Sequence, residues 1–123
     1  MSFHWNDKEP IYLQLKDMVR NMILAGELTE GESLPSVRQV AMDYKLNPLT
    51  VSKSWQLLVD EGLVEKRRGL GMFVQTGAKA QLKTAEQAVF LDEVWPNILQ
   101  KVEHLNLNTQ ELIQSLEHLG RKQ

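Results

Sequence analysis

The residues able to do chemistry in this 123-residue chain are its cations, its small polar side chains and two of its glycines. Covalent catalysis finds no support. The three histidines, His4, His104 and His118, stand outside metal-ligand spacing and outside any motif, and are expected at the surface or in the tail. There is no cysteine, so neither a disulfide framework nor a thiolate metal site is possible. No Ser-His-Asp order and no phosphate-binding loop occurs, and no metal or cofactor is expected. The cations are more informative. From Ser36 to Gly71, Arg38, Lys45, Lys53, Lys66, Arg67 and Arg68 face Asp43, Asp60, Glu61 and Glu65, a local excess of +2. Residues 1–35 set Lys8, Lys16 and Arg20 against Asp7, Glu9, Asp17, Glu27, Glu30 and Glu32, a deficit of −3. Positive charge is thus gathered on one stretch of a chain whose net charge is −2, as local attraction to phosphate requires.

Short elements must position those cations. Ser36 is an N-cap candidate with Gln39 at the capping-box position, opening a helix from Val37 to Tyr44 that buries Val37, Val40, Ala41 and Tyr44. Only Lys45, Leu46 and Asn47 follow before Asn47 can cap, and Pro48 can begin, the next helix. So short a connection is what a helix-turn-helix needs. In the second helix Val51, Trp55 and Leu58 share one face, with Leu49, Lys53, Gln56 and Asp60 opposite and Thr50 and Ser52 at the flanks. Asp60 would repel phosphate, so the nucleic-acid face is expected over the first two turns. Leu63–Lys66 and Met72–Gln75 then read as two strands joined around Arg68-Gly69-Leu70-Gly71, a basic hairpin whose glycines permit positive φ. The order is that of a winged helix-turn-helix.

Before this motif, Ile11, Leu15, Met18, Met22 and Ala25 recur at helical spacing, widened by Tyr12, Val19 and Ile23. Pro10 suits the start of that helix and Gly26 its end. Ser33-Leu34 reads as a very short strand. After the motif, Thr76–Lys79 reads as a linker. Leu91, Trp95, Ile98, Val102 and Leu105 then follow a heptad-like seam, extended backwards by Ala85 and Ala88. Pro96 should kink or restart this helix near Trp95. Asn106-Leu107-Asn108 forms a turn, and Thr109 caps a last helix carrying Leu112, Ile113, Leu116 and Leu119. The fold expected is mainly α with a small β-hairpin: a winged helix-turn-helix over 1–76 and a short helical dimerisation tail over 79–123. That stripe is too long for a helix pair to hide alone, so Leu91, Trp95, Ile98, Val102, Leu105, Leu112 and Leu116 are the expected dimer contacts. No apolar run spans a membrane, and Met1–Asp7 lacks the features of a secretory signal, so a cytoplasmic protein is expected.

Pro10-Ile11-Tyr12-Leu13-Gln14-Leu15, Gly31-Glu32-Ser33-Leu34-Pro35-Ser36-Val37-Arg38, Asn47-Pro48-Leu49-Thr50-Val51 and Glu61-Gly62-Leu63-Val64 closely resemble the N-terminal domain of GntR-family transcription regulators. Arg67-Arg68-Gly69-Leu70-Gly71-Met72-Phe73-Val74 is similar to that family's wing. The short tail resembles that of the YtrA-like subfamily. The resemblance implies a homodimer binding double-stranded DNA, usually an inverted-repeat operator, and most often repressing. It also implies that Ser36 and Arg38 hold phosphate or reach a base edge. Asn47, Leu49, Thr50 and Lys53 would occupy the groove-reading turn, with Arg67, Arg68, Gly69 and Gly71 in the wing. One position departs from the pattern: Ser52 stands where many relatives carry Arg, and a serine cannot make the bidentate guanine contact. For the tail, a pure dimerisation device is favoured over one with a small-molecule effector site between subunits. The rival to a DNA-binding regulator is a winged-helix protein-interaction adaptor, against which the basic hairpin and polar turn count.

Overall fold

The computed structural model describes residues 5–121. His4 and the rest of the first four residues of the chain lie outside them. Two compact units divide the chain between Ala85 and Glu86.

The first unit begins with α1 (Ile11–Ala25), whose C-terminus is closed by Gly26 at φ 81°. Only a residue tolerating the left-handed region closes a helix this way, and the Gly26 N–H reaches the Ile23 carbonyl. Pro10 precedes the first helical residue, so it ends a bent N-terminal arm, in which Asn6 Oδ1 accepts from the Lys8 and Glu9 N–H groups, instead of opening the helix. Gln14, buried in α1, clamps that arm: its Oε1 accepts from the Asn6 N–H, and its Nε2 donates to the carbonyls of Asn6 and Glu9. The Trp5 ring meets Tyr44 edge-on at 5.8 Å.

Next come α2 (Val37–Tyr44) and α3 (Pro48–Asp60), then β1 (Val64–Arg67) and β2 (Gly71–Val74). The strands pair antiparallel, Val64 with Val74 and Arg67 with Gly71. The Ser33-Leu34 segment joins the free edge of β2: Ser33 bridges Phe73, and Leu34 N–H donates to the Met72 carbonyl at 2.8 Å. Nearby, the Thr29 hydroxyl and then its N–H hold the Glu32 carboxylate below its ordinary pKa. The core gathers Leu15, Val19 and Ile23 of α1, Val51, Trp55 and Leu58 of α3, and Val64 and Val74 of the hairpin. The Trp55 indole N–H donates to the Pro35 carbonyl, tying α3 to the entry of α2. Lys16 and Arg20 both pair with Glu61, fastening α1 to the end of α3.

The next helix, α4 (Ala78–Val89), begins inside the stretch read as linker and tail. Ala78 and Leu82 are fully buried in the first unit's core, and Gln81 Nε2 donates to the Glu61 carbonyl. The first unit therefore extends to Ala85, past the residue 76 expected from sequence. Apart from Leu82 and Val89 the apolar residues of α4 are alanines, whose weak hydrophobic period gave too little signal to reveal this.

In the second unit the helical path widens into a π turn over Phe90–Val94, then returns to α geometry as α5 (Trp95–His104). The Trp95 N–H bonds to the Phe90 carbonyl, five residues back. Pro96 brings no N–H and a ring that crowds the preceding turn, and a wider turn is one way to accommodate both. Asn106 ends the turn after α5 at φ 54°. The last helix, α6 (Thr109–Arg121), is capped by Asn108 and not by Thr109: Asn108 Oδ1 accepts from the N–H groups of Gln110 and Glu111. Among the described residues no helix is long and apolar enough to cross a membrane.

Candidate nucleic-acid interface

The geometry of the motif follows from its caps. Ser36 Oγ accepts from the Gln39 N–H at 3.0 Å and starts α2, which leaves Arg38 exposed in its first turn. The reciprocal half of the expected capping box is not formed, because the Gln39 amide donates to Asp43 instead. Lys45, at φ 56°, closes α2 in the left-handed region, and the Leu46 N–H returns to the Ala41 carbonyl. This tight closure sets the direction in which α3 leaves. Asn47 Oδ1 then caps α3 by accepting from the Leu49 N–H at 2.8 Å, with Pro48 opening the helix. The Thr50 N–H is engaged by the Asn47 carbonyl. The positive end of α3 therefore acts as a dipole, with these two amides already occupied.

Burial splits α3 along its length as the pattern required. Val51, Trp55 and Leu58 are buried, whereas Leu49, Ser52, Lys53 and Gln56 are exposed and Thr50 is half-buried. Leu49 is 76% exposed on the first turn of α3. Ser54 escaped the sequence reading. It is fully buried, and its hydroxyl donates to the Tyr12 carbonyl at 2.6 Å. A serine one residue from an exposed lysine offers no periodic signal of burial.

The hairpin places Arg68, Gly69 and Leu70 at its tip, where the Leu70 N–H donates to the Arg67 carbonyl at 2.9 Å. Gly69 at φ 76° and Gly71 at φ 115° supply the positive φ the turn demands. Arg68 and Leu70 are both exposed, Leu70 by 72%.

Arg67, expected in the wing, has partners of its own there. Its Nε donates to Glu65 at 2.7 Å, and its guanidinium lies 4.3 Å from the centre of the Phe73 ring. Because side chains alternate along a strand, Glu65 and Arg67 share one face, and Phe73 lies opposite Glu65 on the neighbouring strand. Lys53 also has an aromatic neighbour, its Nζ 3.9 Å from the centre of the Tyr12 ring. Tyr12, expected on the apolar stripe of α1, is half-buried and its ring borders Lys53 of α3.

In the second unit, Leu91, Ile98, Leu105, Leu112 and Leu116 are exposed, with Trp95 and Val102 half-buried. His104 and His118 are exposed as well.

Residues 11–74 match the bacterial regulatory proteins of the gntR family. Over 116 residues the chain is 30% identical to the uncharacterized HTH-type transcriptional regulator YhcF of Bacillus subtilis, covering 94% of each protein. It is 34% identical to the HTH-type transcriptional repressor YtrA of the same bacterium, over 69% of this chain and 65% of YtrA. A solved transcriptional regulator from Oenococcus oeni superposes with a TM-score of 0.74 at 25% identity, covering 97% of this chain and 98% of its own. That likeness takes in the helices after the hairpin as well as the helix-turn-helix. With its capped α2–α3 pair, its glycine hairpin and these relatives, the chain belongs to the GntR family and is a DNA-binding transcription regulator related to YtrA.

Proposed function

We propose that this regulator is a repressor acting as a cytoplasmic homodimer, which sets two winged domains on the half-sites of an inverted-repeat operator. The observation that carries the reading is where apolar surface stays open. Of the fifteen large apolar side chains exposed among the described residues, twelve lie between Val89 and Leu119. A soluble protein rarely leaves so much clustered apolar surface to water, and a second copy burying the same stripe removes it. Dimerisation also converts two weak half-site contacts into one useful affinity through effective concentration.

At each half-site α3 enters the major groove by its first two turns. Arg38, Lys53 and Arg68 neutralise phosphates, and the Ser36 hydroxyl donates to one. Leu49 makes an apolar base contact and Thr50 meets a thymine methyl or a phosphate. Asn47 acts mainly as the cap that aims the helix, while Gly69 and Gly71 shape the wing. Arg67 joins the phosphate contacts less directly, since Glu65 already offsets its charge. The protein carries out no bond-making chemistry, and the tail supplies dimerisation without a bound effector.

The test is selection of bound sites from a randomised duplex library with the full-length chain at moderate salt. Enrichment of one inverted repeat, whose insertion ahead of a reporter lowers transcription when the protein is present, is the expected result. Enrichment of single half-sites would overturn the dimer. Absence of DNA binding would move a protein-interaction adaptor to first place.

A further inference from the structure

We infer that Tyr12 is a positioning residue for DNA binding, its ring holding the Lys53 ammonium ready on the face of α3 that meets the operator. The inference rests on the operator reading above. A lysine on an exposed helix face samples many rotamers, and fixing one of them on binding costs entropy. Here the ammonium already sits 3.9 Å from the centre of the Tyr12 ring, inside the range where the ring's electron-rich face attracts a cation.

The seat is itself held firmly. Ser54, next to Lys53 in sequence, is fully buried and donates its hydroxyl to the Tyr12 carbonyl at 2.6 Å. The two neighbouring residues of α3 thus engage the same residue of α1, one by its ring and one by its backbone. Leu15 and Val19 of α1 and Val51 and Trp55 of α3, buried in the common core, keep the two helices from sliding.

A ring orders a cation without cancelling its charge, whereas a carboxylate does both. The contrast is visible within this unit. Arg67 also lies over a ring, that of Phe73, but Glu65 pairs with it. Among the described residues no carboxylate pairs with Lys53. Lys53 is therefore the more available of the two cations, with one side of its ammonium on the ring and the other open to phosphate. Tyr12 raises affinity while touching no DNA, and its ring face, not its hydroxyl, is the part that matters.

The experiment is a double-mutant cycle on the duplex enriched by the selection, with Tyr12→Leu, Lys53→Met and their combination. Tyr12→Leu is expected to weaken binding about two- to five-fold, the size of an exposed cation–π contact. Tyr12→Phe is expected to bind as the wild type does, and Tyr12→Leu to cost nothing further once Lys53 is Met. Lys53→Met should lower the salt slope by about one, whereas Tyr12→Leu leaves it unchanged because the charge persists. Additive losses would overturn the inference, since a merely structural Tyr12 predicts them. Tyr12→Phe failing like Tyr12→Leu would also overturn it, placing the effect in the hydroxyl. An independent arm needs neither DNA nor a variant: in the free protein the Lys53 ε-methylene protons should resonate upfield, shielded by the ring, and unshifted protons would refute the seat. Wild-type protein that enriches no duplex overturns the operator reading itself, whereas additive losses on an enriched duplex overturn only the role of Tyr12.

Discussion

Leu82 gives the sharpest test of where the DNA-binding unit ends. The sequence places it in the tail, whereas the structure buries it to 2% exposure in the core of the winged domain, three residues before the division at Ala85. A chain ending at Ala78 loses the Leu82 side chain from that core, together with the Gln81 bond to the Glu61 carbonyl. A chain ending at Ala85 keeps both. Removing a fully buried leucine costs about 3–5 kcal/mol through lost transfer energy and the space left behind. The exposed Gln81 bond adds about 0.5–1.5 kcal/mol at most. Against a typical domain stability of about 5–15 kcal/mol, such a loss leaves the shorter fragment near the edge of folding. Each kcal/mol moves the midpoint of a domain this size by roughly 4–8 °C, so the two fragments should melt at least about 12 °C apart. Circular dichroism during heating, repeated with urea at fixed temperature, reads the difference. Leu82→Ala in the full-length chain provides the same test without a new terminus. Equal midpoints for the two fragments, or a loss below about 1 kcal/mol in Leu82→Ala, would show that α4 is not part of the domain's core.

Further outcomes follow from the same geometry. Arg38→Ala removes one phosphate contact, so operator affinity should fall and the salt slope drop by about one, measured by fluorescence anisotropy; unchanged affinity removes it from the interface. Glu65→Gln frees Arg67 from its ion pair, so operator binding should tighten severalfold and fall more steeply with salt. Identical salt slopes for variant and wild type would show that Arg67 contacts no phosphate in the complex. Leu112→Asp with Leu116→Asp places charge in the exposed stripe of α6, and sedimentation should then report a monomer with weakened operator binding. A variant that sediments as a dimer would move the subunit contact elsewhere.

Much of the fold was legible because short-range chemistry specifies it. Ser36, Asn47, Gly26 and Gly69 mark boundaries through bonds or dihedrals that span four residues or fewer, and the structure sets caps or turns at each. Val51, Trp55 and Leu58 were placed in the core by helical period alone, and all three are buried. The GntR resemblance was likewise a property of local motifs in a fixed order. Where two local candidates competed, the reading could fail, as when Asn108 took the capping role given to Thr109.

The amino-acid sequence by itself thus determined the helix-turn-helix, its hairpin, the polar face of α3 and the apolar stripe of the tail. Tertiary structure decided everything that depends on residues distant in the chain. Ser54 is buried only because α1 lies across it, and Tyr12 becomes a seat for Lys53 only because the first turn of the same helix packs beside α3. Arg67, already paired locally with Glu65, gains the Phe73 ring only because the strand register sets Phe73 opposite Glu65. Leu82 belongs to the winged domain because α4 folds back onto a core begun at Leu15. Periodicity reports which face of a helix is apolar; which surface covers that face is fixed only when the elements pack.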